Sequence, residues 1–218
     1  MHPCGKDGLM DTQTEQSATY VIGDLHGALT LLQSLLDLLP LQPQDHLVFL
    51  GDYMDRGDES VATVLFLEQL ATTQRCIFLR GNHDEAWLEC WNGSAFTHYP
   101  KIPGARKVWE EHHGLIPSAV GRFLEKTHVS YEDGYAYYAH AGAQPGVPFW
   151  QSAREGYIWG WHDFFTNPAS HWGKLVIVGH YEVEKPLVTE TIICVDTAGY
   201  RTGRLTALRV ADRHLFQT

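Results

Sequence analysis

The 218-residue chain has no apolar run approaching the roughly eighteen residues that a membrane-spanning helix requires, so nothing in it reads as a membrane span. Basic residues are scarce. There are 16 Lys and Arg against 26 Asp and Glu, a net charge of −10. An acidic chain gains little from a phosphate backbone, so no nucleic-acid partner is expected. That acidity does not exclude a phosphorylated substrate, because bound metal ions reverse the local sign. Cysteines number only four, Cys4, Cys76, Cys90 and Cys194, with no C-x-x-C pair. Cys76 and Cys194 fall in apolar, strand-like runs, where buried free thiols are expected, and this usage fits a reducing, cytoplasmic setting. Residues 1–18 lack the apolar stretch of a secretory signal and read as a loose lead-in segment. No repeat or low-complexity tract occurs.

What is present supports one sizeable core. Hydrophobic residues make up 44% of the chain, and a single domain over 19–218 is expected. Strand-like runs at 18–22, 46–50 and 76–79 alternate with helical patterns. Leucines at 29, 32, 35, 36 and 39 mark the first helix, which Pro40 ends. Helices are also predicted near 60–70 and over 85–91. Strand–helix alternation of this kind argues for an α/β fold with a parallel-leaning sheet covered by helices. Residues 92–134 break the rhythm and read as an insertion of helices and loops. Strands resume at 135–139, 175–178, 192–195 and 205–210. The short links between the late strands favour a mixed sheet or a two-sheet sandwich.

Five short polar motifs each follow a predicted strand directly. They are Gly23-Asp24-Leu25-His26-Gly27, Gly51-Asp52-Tyr53-Met54-Asp55-Arg56-Gly57, Gly81-Asn82-His83-Asp84, His140-Ala141-Gly142 and Gly179-His180. A lone Gly-Asp after a strand is usually a turn, and a lone Gly-His usually a loop histidine. Independent turns have no reason to supply Asp, His, Asp, Asn, His and His at successive strand ends. Ligands collect at the carboxyl ends of strands in α/β folds, so these clusters can converge on one site.

The ordered set resembles the PPP-type metallophosphatases, the serine/threonine protein phosphatase family, in a short form similar to the bacterial and phage members. The resemblance runs from Thr19 to Val210 and includes Val195-Asp196-Thr197-Ala198-Gly199 and Gly203-Arg204-Leu205-Thr206 near its end. It implies a calcineurin-like fold, a central mixed β-sandwich flanked by helices, with the active site at the strand C-terminal ends. It implies two divalent metal ions, manganese first, with iron or zinc as alternatives. Asp24 and His26 would hold the first ion, Asp52 would bridge both, and Asn82, His140 and His180 would complete the second. Mixed nitrogen and oxygen donors suit borderline first-row ions. Two anionic ligands against two divalent ions leave a net charge of about +2, which suits a phosphate dianion. By the same resemblance a water bridging the metals attacks phosphorus in line. Arg56, Arg80 and Asn82 bind the phosphate, and His83, oriented by Asp55, is the general acid. Asp84 is expected to support a helix start rather than to take part in catalysis.

One position departs from the family pattern. A further phosphate-binding arginine is expected shortly after an Ile-Trp pair, and here Trp161 stands in its place within Ile158-Trp159-Gly160-Trp161-His162. The expected activity is phosphomonoester hydrolysis on phosphorylated proteins or small phosphate esters. Dinucleoside polyphosphate hydrolysis is the alternative, because the aromatic loop offers faces on which bases stack.

Overall fold

A computed structural model describes residues 17–218. The expected lead-in segment, with Cys4, lies almost wholly outside the described residues. From Thr19 the order is β1 (Thr19–Ile22), α1 (Leu29–Leu38), β2 (His46–Phe49), α2 (Ser60–Leu70), β3 (Arg75–Phe78) and α3 (Asn82–Glu89). There follow α4 (Ala105–Glu111), α5 (Ser118–Glu125), β4 (Ser130–Glu132), β5 (Ala136–Ala139) and α6 (Arg154–Trp159). The chain closes with β6 (Leu175–Val178), β7 (Leu187–Val188), β8 (Ile192–Cys194), α7 (Gly199–Thr202), β9 (Thr206–Arg209) and β10 (His214–Gln217). No helix among the described residues is long and apolar enough to cross a membrane.

The strands form two mixed sheets, ordered β10-β9-β1-β2-β3 and β4-β5-β6-β8-β7. In the first, β1, β2 and β3 run parallel, β9 pairs antiparallel with β1, and β10 pairs antiparallel with β9. In the second, β5, β6 and β8 run parallel, with β4 and β7 antiparallel at its two edges. The two-residue period of the strands sorts their side chains into layers. Val21, Val48, Tyr138 and Ile177 pack between the sheets. Their neighbours Tyr20, Ile22, Leu47 and Phe49 turn the other way, onto Leu32 and Leu35 of α1 and Val64 of α2. On the outer face of the second sheet, Tyr137, Ala139, Val176 and Val178 meet Phe149, Ile158 and Phe164. The expected mixed β-sandwich flanked by helices is therefore the observed fold.

Local chemistry sets several boundaries. After α1, Leu39 adopts φ −79°, ψ 130°, the extended conformation favoured before the ring of Pro40. Helix α3 starts at Asn82, three residues before the expected 85–91 range, because the Asp84 carboxylate accepts the Gly81 N–H at 2.8 Å and satisfies the helix start. Residues 92–134 contain the expected helices α4 and α5. They also end in β4, so part of this stretch is woven into the sheet rather than laid over it. Strands β4, β7 and β10 escaped the sequence pattern because they are edge strands with no fully buried residue and carry no apolar run of strand length. Cys76, Cys90 and Cys194 are free, and Cys90 and Cys194 are buried.

Candidate metal centre

The six parallel strands end at one edge of the sandwich, and each end carries polar groups. Gly23–Gly27 follows β1, Gly51–Gly57 follows β2 and Gly81–Asp84 opens α3 after β3. His140 follows β5, Gly179-His180 follows β6 and Asp196 lies just beyond β8. Bonds across the two sheets fix this alignment. The His180 N–H donates to Asp24 Oδ1 at 3.1 Å, and His140 Nδ1 lies 2.9 Å from the Leu50 carbonyl.

Asp24, His26, Asp52, Asn82, His140 and His180 are brought together. Asp52 Oδ2 stands 3.4 Å from His26 Nε2 and 3.6 Å from His140 Nε2, so one carboxylate oxygen lies between the imidazoles assigned to different ions. Two groups of donor atoms each fit within 4.8 Å, His26–Asp52–His83 and Asp24–Asp52–His140, and Asp52 belongs to both. The grouping differs from the expected partition, since Asp24 sits with His140 and His26 with His83, whose Nδ1 is engaged by Asp55. Asn82 Oδ1, His140 Nε2 and His180 Nδ1 form a triangle with sides of 3.0, 3.1 and 3.0 Å.

The donor set fits cations. A carbonyl only accepts, so the bonds from His26 Nδ1 to Met54 O and from His140 Nδ1 to Leu50 O place the ring protons on Nδ1. Each Nε2 is left with a lone pair pointing at Asp52. Burial lowers His26 to about 3 and His180 to about 4, and also lowers His140. All three rings are neutral ligands near neutral pH. Burial, then the charges of Asp196 and Asp52, push Asp24 well above the ordinary carboxylate range. A pocket of lone pairs and crowded buried carboxylates is unfavourable by itself and favourable around two positive ions.

The backbone is shaped for this convergence. His26, Asp52, Asp55, Arg56 and His180 have φ of 43°, 53°, 74°, 63° and 61°. The left-handed region costs non-glycine residues of order 1–3 kcal/mol each, and it is tolerated where the surroundings over-determine it. Asp84 provides much of that determination. Fully buried, it accepts the N–H of Asp52 and Gly81 at 2.8 Å and of Tyr53 at 3.1 Å, tying the β2 loop to the start of α3. Its role is wider than the expected helix cap. A methyl group at Gly81 would collide with Asp52 Oδ1, and one at Gly179 with Asp24 Oδ1, so both positions require glycine.

His83 is 1% exposed, and its Nδ1 lies 2.6 Å from Asp55 Oδ2. Trp87 Nε1 donates to the other Asp55 oxygen at 3.0 Å and fixes the carboxylate. Burial opposes charge on His83, but the Asp55 hydrogen bond and the Asp52 and Asp55 charges outweigh it and raise the ring above its ordinary value. The His83 N–H end of the pair therefore keeps a proton to give. Arg56 is adjacent, with Nη2 3.4 Å from His83 Nε2.

The other expected phosphate contacts fall differently. Arg80 makes no hydrogen bond to the cluster. Its Nε donates to Thr127 Oγ1 at 2.8 Å, and its Nη2 donates to the carbonyls of Leu124, Glu125 and Thr127 at 3.0 to 3.3 Å. Its Nη1 meets Glu85 at 3.3 Å. Arg80 thus clamps the carbonyl end of α5 to α3. We expect Arg80→Met to lose about 3 kcal/mol in urea unfolding, since it strips partners from half-buried carbonyls and from Glu85. KM for p-nitrophenyl phosphate should shift less than about threefold. A tenfold rise in KM at unchanged stability would instead restore Arg80 as a phosphate contact. The Trp161 ring packs against the outer cluster, its backbone N–H donates to Tyr181 Oη at 3.2 Å, and the His162 side chain is 93% exposed.

Sequence reasoning missed three neighbours. Asp196 is buried, and its charge bears on Asp24. The Tyr200 ring lies edge-on to His26 with centroids 5.3 Å apart, and Glu182 binds Arg56 at 2.6 Å. Only Asp196 left a sequence signal, its place directly after a strand.

A sandwich whose parallel strand ends gather two overlapping sets of neutral imidazole and carboxylate donors, beside a His–Asp pair and an arginine, defines a metallophosphoesterase. The model of the calcineurin-like phosphoesterase family matches residues 18–195, and the chain belongs to that family. It is 47% identical over 68 residues to a symmetrical bis(5'-nucleosyl)-tetraphosphatase of Marinomonas sp., covering 31% of this chain and 24% of that protein. It is 34% identical over 96 residues to a PP2A-like serine/threonine-protein phosphatase of Candida albicans, covering 43% and 23%. These matches span about a quarter of the relatives' own lengths. A solved structure assigned as a diadenosine tetraphosphatase superposes with a TM-score of 0.74 at 20% identity, covering 94% of each chain, and this likeness is one of fold.

Proposed function

We propose that this phosphoesterase acts on phosphoanhydrides, cleaving the polyphosphate bridge of a dinucleoside polyphosphate. This reverses the order expected from the sequence, where the protein phosphatase reading came first. The observation that carries hydrolysis is Asp52 Oδ2 standing between the His26 and His140 nitrogens. The choice of substrate draws support from the recurrence of symmetrical bis(5'-nucleosyl)-tetraphosphatases among the similar proteins.

Asp24, His26, Asp52, Asn82, His140 and His180 are the residues that would hold two divalent ions, manganese first. When bound, such ions polarise phosphoryl oxygens and make water nucleophilic at neutral pH. The chain's own groups do the rest. Asp52 fixes the spacing of the two donor sets and accepts the His83 N–H at 3.0 Å, which holds α3 against the β2 loop. Arg56 neutralises charge on a phosphoryl group beside His83. The His83 imidazole, kept protonated by Asp55, gives its proton to the leaving oxygen as the P–O bond breaks.

The test is a panel of substrates on one metal-loaded preparation. Diadenosine tetraphosphate is expected to give a kcat/KM at least about tenfold above that of a phosphoserine peptide. The reverse order would replace this reading with protein phosphatase activity, which the PP2A-like match favours.

A further inference from the structure

Glu182 lies two residues beyond His180, and its side chain is 30% exposed. Three donors surround its carboxylate. Oε1 accepts from Arg56 Nη1 at 2.6 Å and from the Tyr200 hydroxyl at 3.1 Å. Oε2 accepts from Arg201 Nη2 at 2.6 Å and Nε at 3.2 Å. Arg56 Nη1 also reaches the Tyr200 oxygen at 3.3 Å, and its guanidinium lies 5.2 Å from the centre of that ring.

An exposed ion pair usually stabilises little and signifies little. This one is different because of what it adjoins. Arg56 Nη2 is 3.4 Å from His83 Nε2, and the Tyr200 ring abuts His26. The donors therefore form a shelf continuous with the metal centre. The match of carboxylate to donors is also incomplete. Both Arg201 nitrogens converge on Oε2, whereas a guanidinium fork binds best when each N–H meets its own oxygen. Two guanidinium groups and a hydroxyl offer more donors than two oxygens can take up. A phosphate within a chain presents two non-bridging oxygens that share one negative charge, as the carboxylate does, so it can take over the same donors and orient freely to meet the Arg201 fork.

We propose that Tyr200, Arg201 and the Nη1 edge of Arg56 form an anion subsite for the phosphate next to the one being cleaved, while Arg56 Nη2 stays with the phosphoryl group beside His83, and that Glu182 is the resident anion which this neighbouring phosphate displaces. The proposal rests on the phosphoanhydride reading above. It assigns Arg201 as a specificity-determining residue that replaces, from α7, the grip missing at Trp161. A substrate with a single phosphate leaves the subsite to Glu182. A polyphosphate fills both places.

Binding of two non-hydrolysed ligands to the metal-loaded protein, measured by titration calorimetry, tests the proposal. The ligands are inorganic phosphate and methylenediphosphonate. Arg201→Ala is expected to weaken methylenediphosphonate about tenfold and phosphate less than about threefold. Glu182→Gln, which removes the competing charge and keeps the shape, is expected to tighten methylenediphosphonate severalfold. Equal weakening of both ligands in Arg201→Ala would overturn the proposal. So would weaker binding in Glu182→Gln, because Glu182 would then be propping Arg56 rather than occupying its place. The expected binding pattern in an enzyme that cleaves phosphopeptides and not anhydrides would uphold the subsite and remove only the substrate reading.

Discussion

Asp52→Asn lowers kcat by about a thousandfold, roughly 4 kcal/mol of transition-state stabilisation, and lowers metal content in the same preparation. The expectation follows from the position of Oδ2, 3.4 Å from His26 Nε2 and 3.6 Å from His140 Nε2. A neutral amide in that place offers a weaker oxygen donor, or an N–H₂ that faces two imidazole lone pairs. It also removes one of the two charges that Asp24 and Asp52 bring to the centre. The fold should survive, because Asn retains an acceptor for the His83 N–H that Asp52 Oδ1 binds at 3.0 Å. Metal analysis and circular dichroism on the same sample check both points. Wild-type metal content in the variant would contradict the bridging position, whatever happened to activity.

His83→Ala is expected to slow turnover by about a hundredfold on an alkyl phosphate and by less than about tenfold on p-nitrophenyl phosphate. Nitrophenolate leaves without a proton, whereas an alkoxide does not. An anhydride, whose leaving phosphate is only weakly basic, should fall between the two. Metal content should stay near that of the wild type, since His83 Nδ1 is committed to Asp55 and Trp87 holds Asp55 from the other side. A brief series of leaving groups, with kcat plotted against leaving-group basicity, reads the role directly. An equal loss across the series would remove the general-acid assignment and recast His83 as a packing group between His26 and Arg56.

How legible these features were depended on whether the information was local. Asp24, His26, Asp52, Asn82 and His180 stand next to glycines, and His140 two positions before Gly142, all shortly after apolar runs, so strand, turn and ligand lie within a few residues. The structure gathers all six because the strands that carry them run parallel and end at one edge. Arg80 has an equally local position, but the direction of its guanidinium is set by the carbonyls of Leu124, Glu125 and Thr127, more than forty positions away. Glu182 pairs with Arg56 across 126 positions of chain, and no pattern in either segment announces that contact. Asp84 was read only as a helix cap, because its bonds to Asp52 and Tyr53 exist only once α3 docks against the β2 loop. In the fold, the mixed sandwich was readable from the change in connection length after 134. Strands β7 and β10 were not, since they are defined by pairing with β8 and β9 rather than by their own composition.

The central claim is that one chain carries two overlapping donor sets joined by Asp52 and that hydrolysis needs both. It is tested most directly by stripping the protein of metal and titrating manganese back while following activity and bound metal together. Activity is expected to stay near baseline through the first equivalent and to rise with the second, reaching a plateau at two ions per chain. Full activity at one ion per chain, or undiminished activity in the stripped protein, would contradict it.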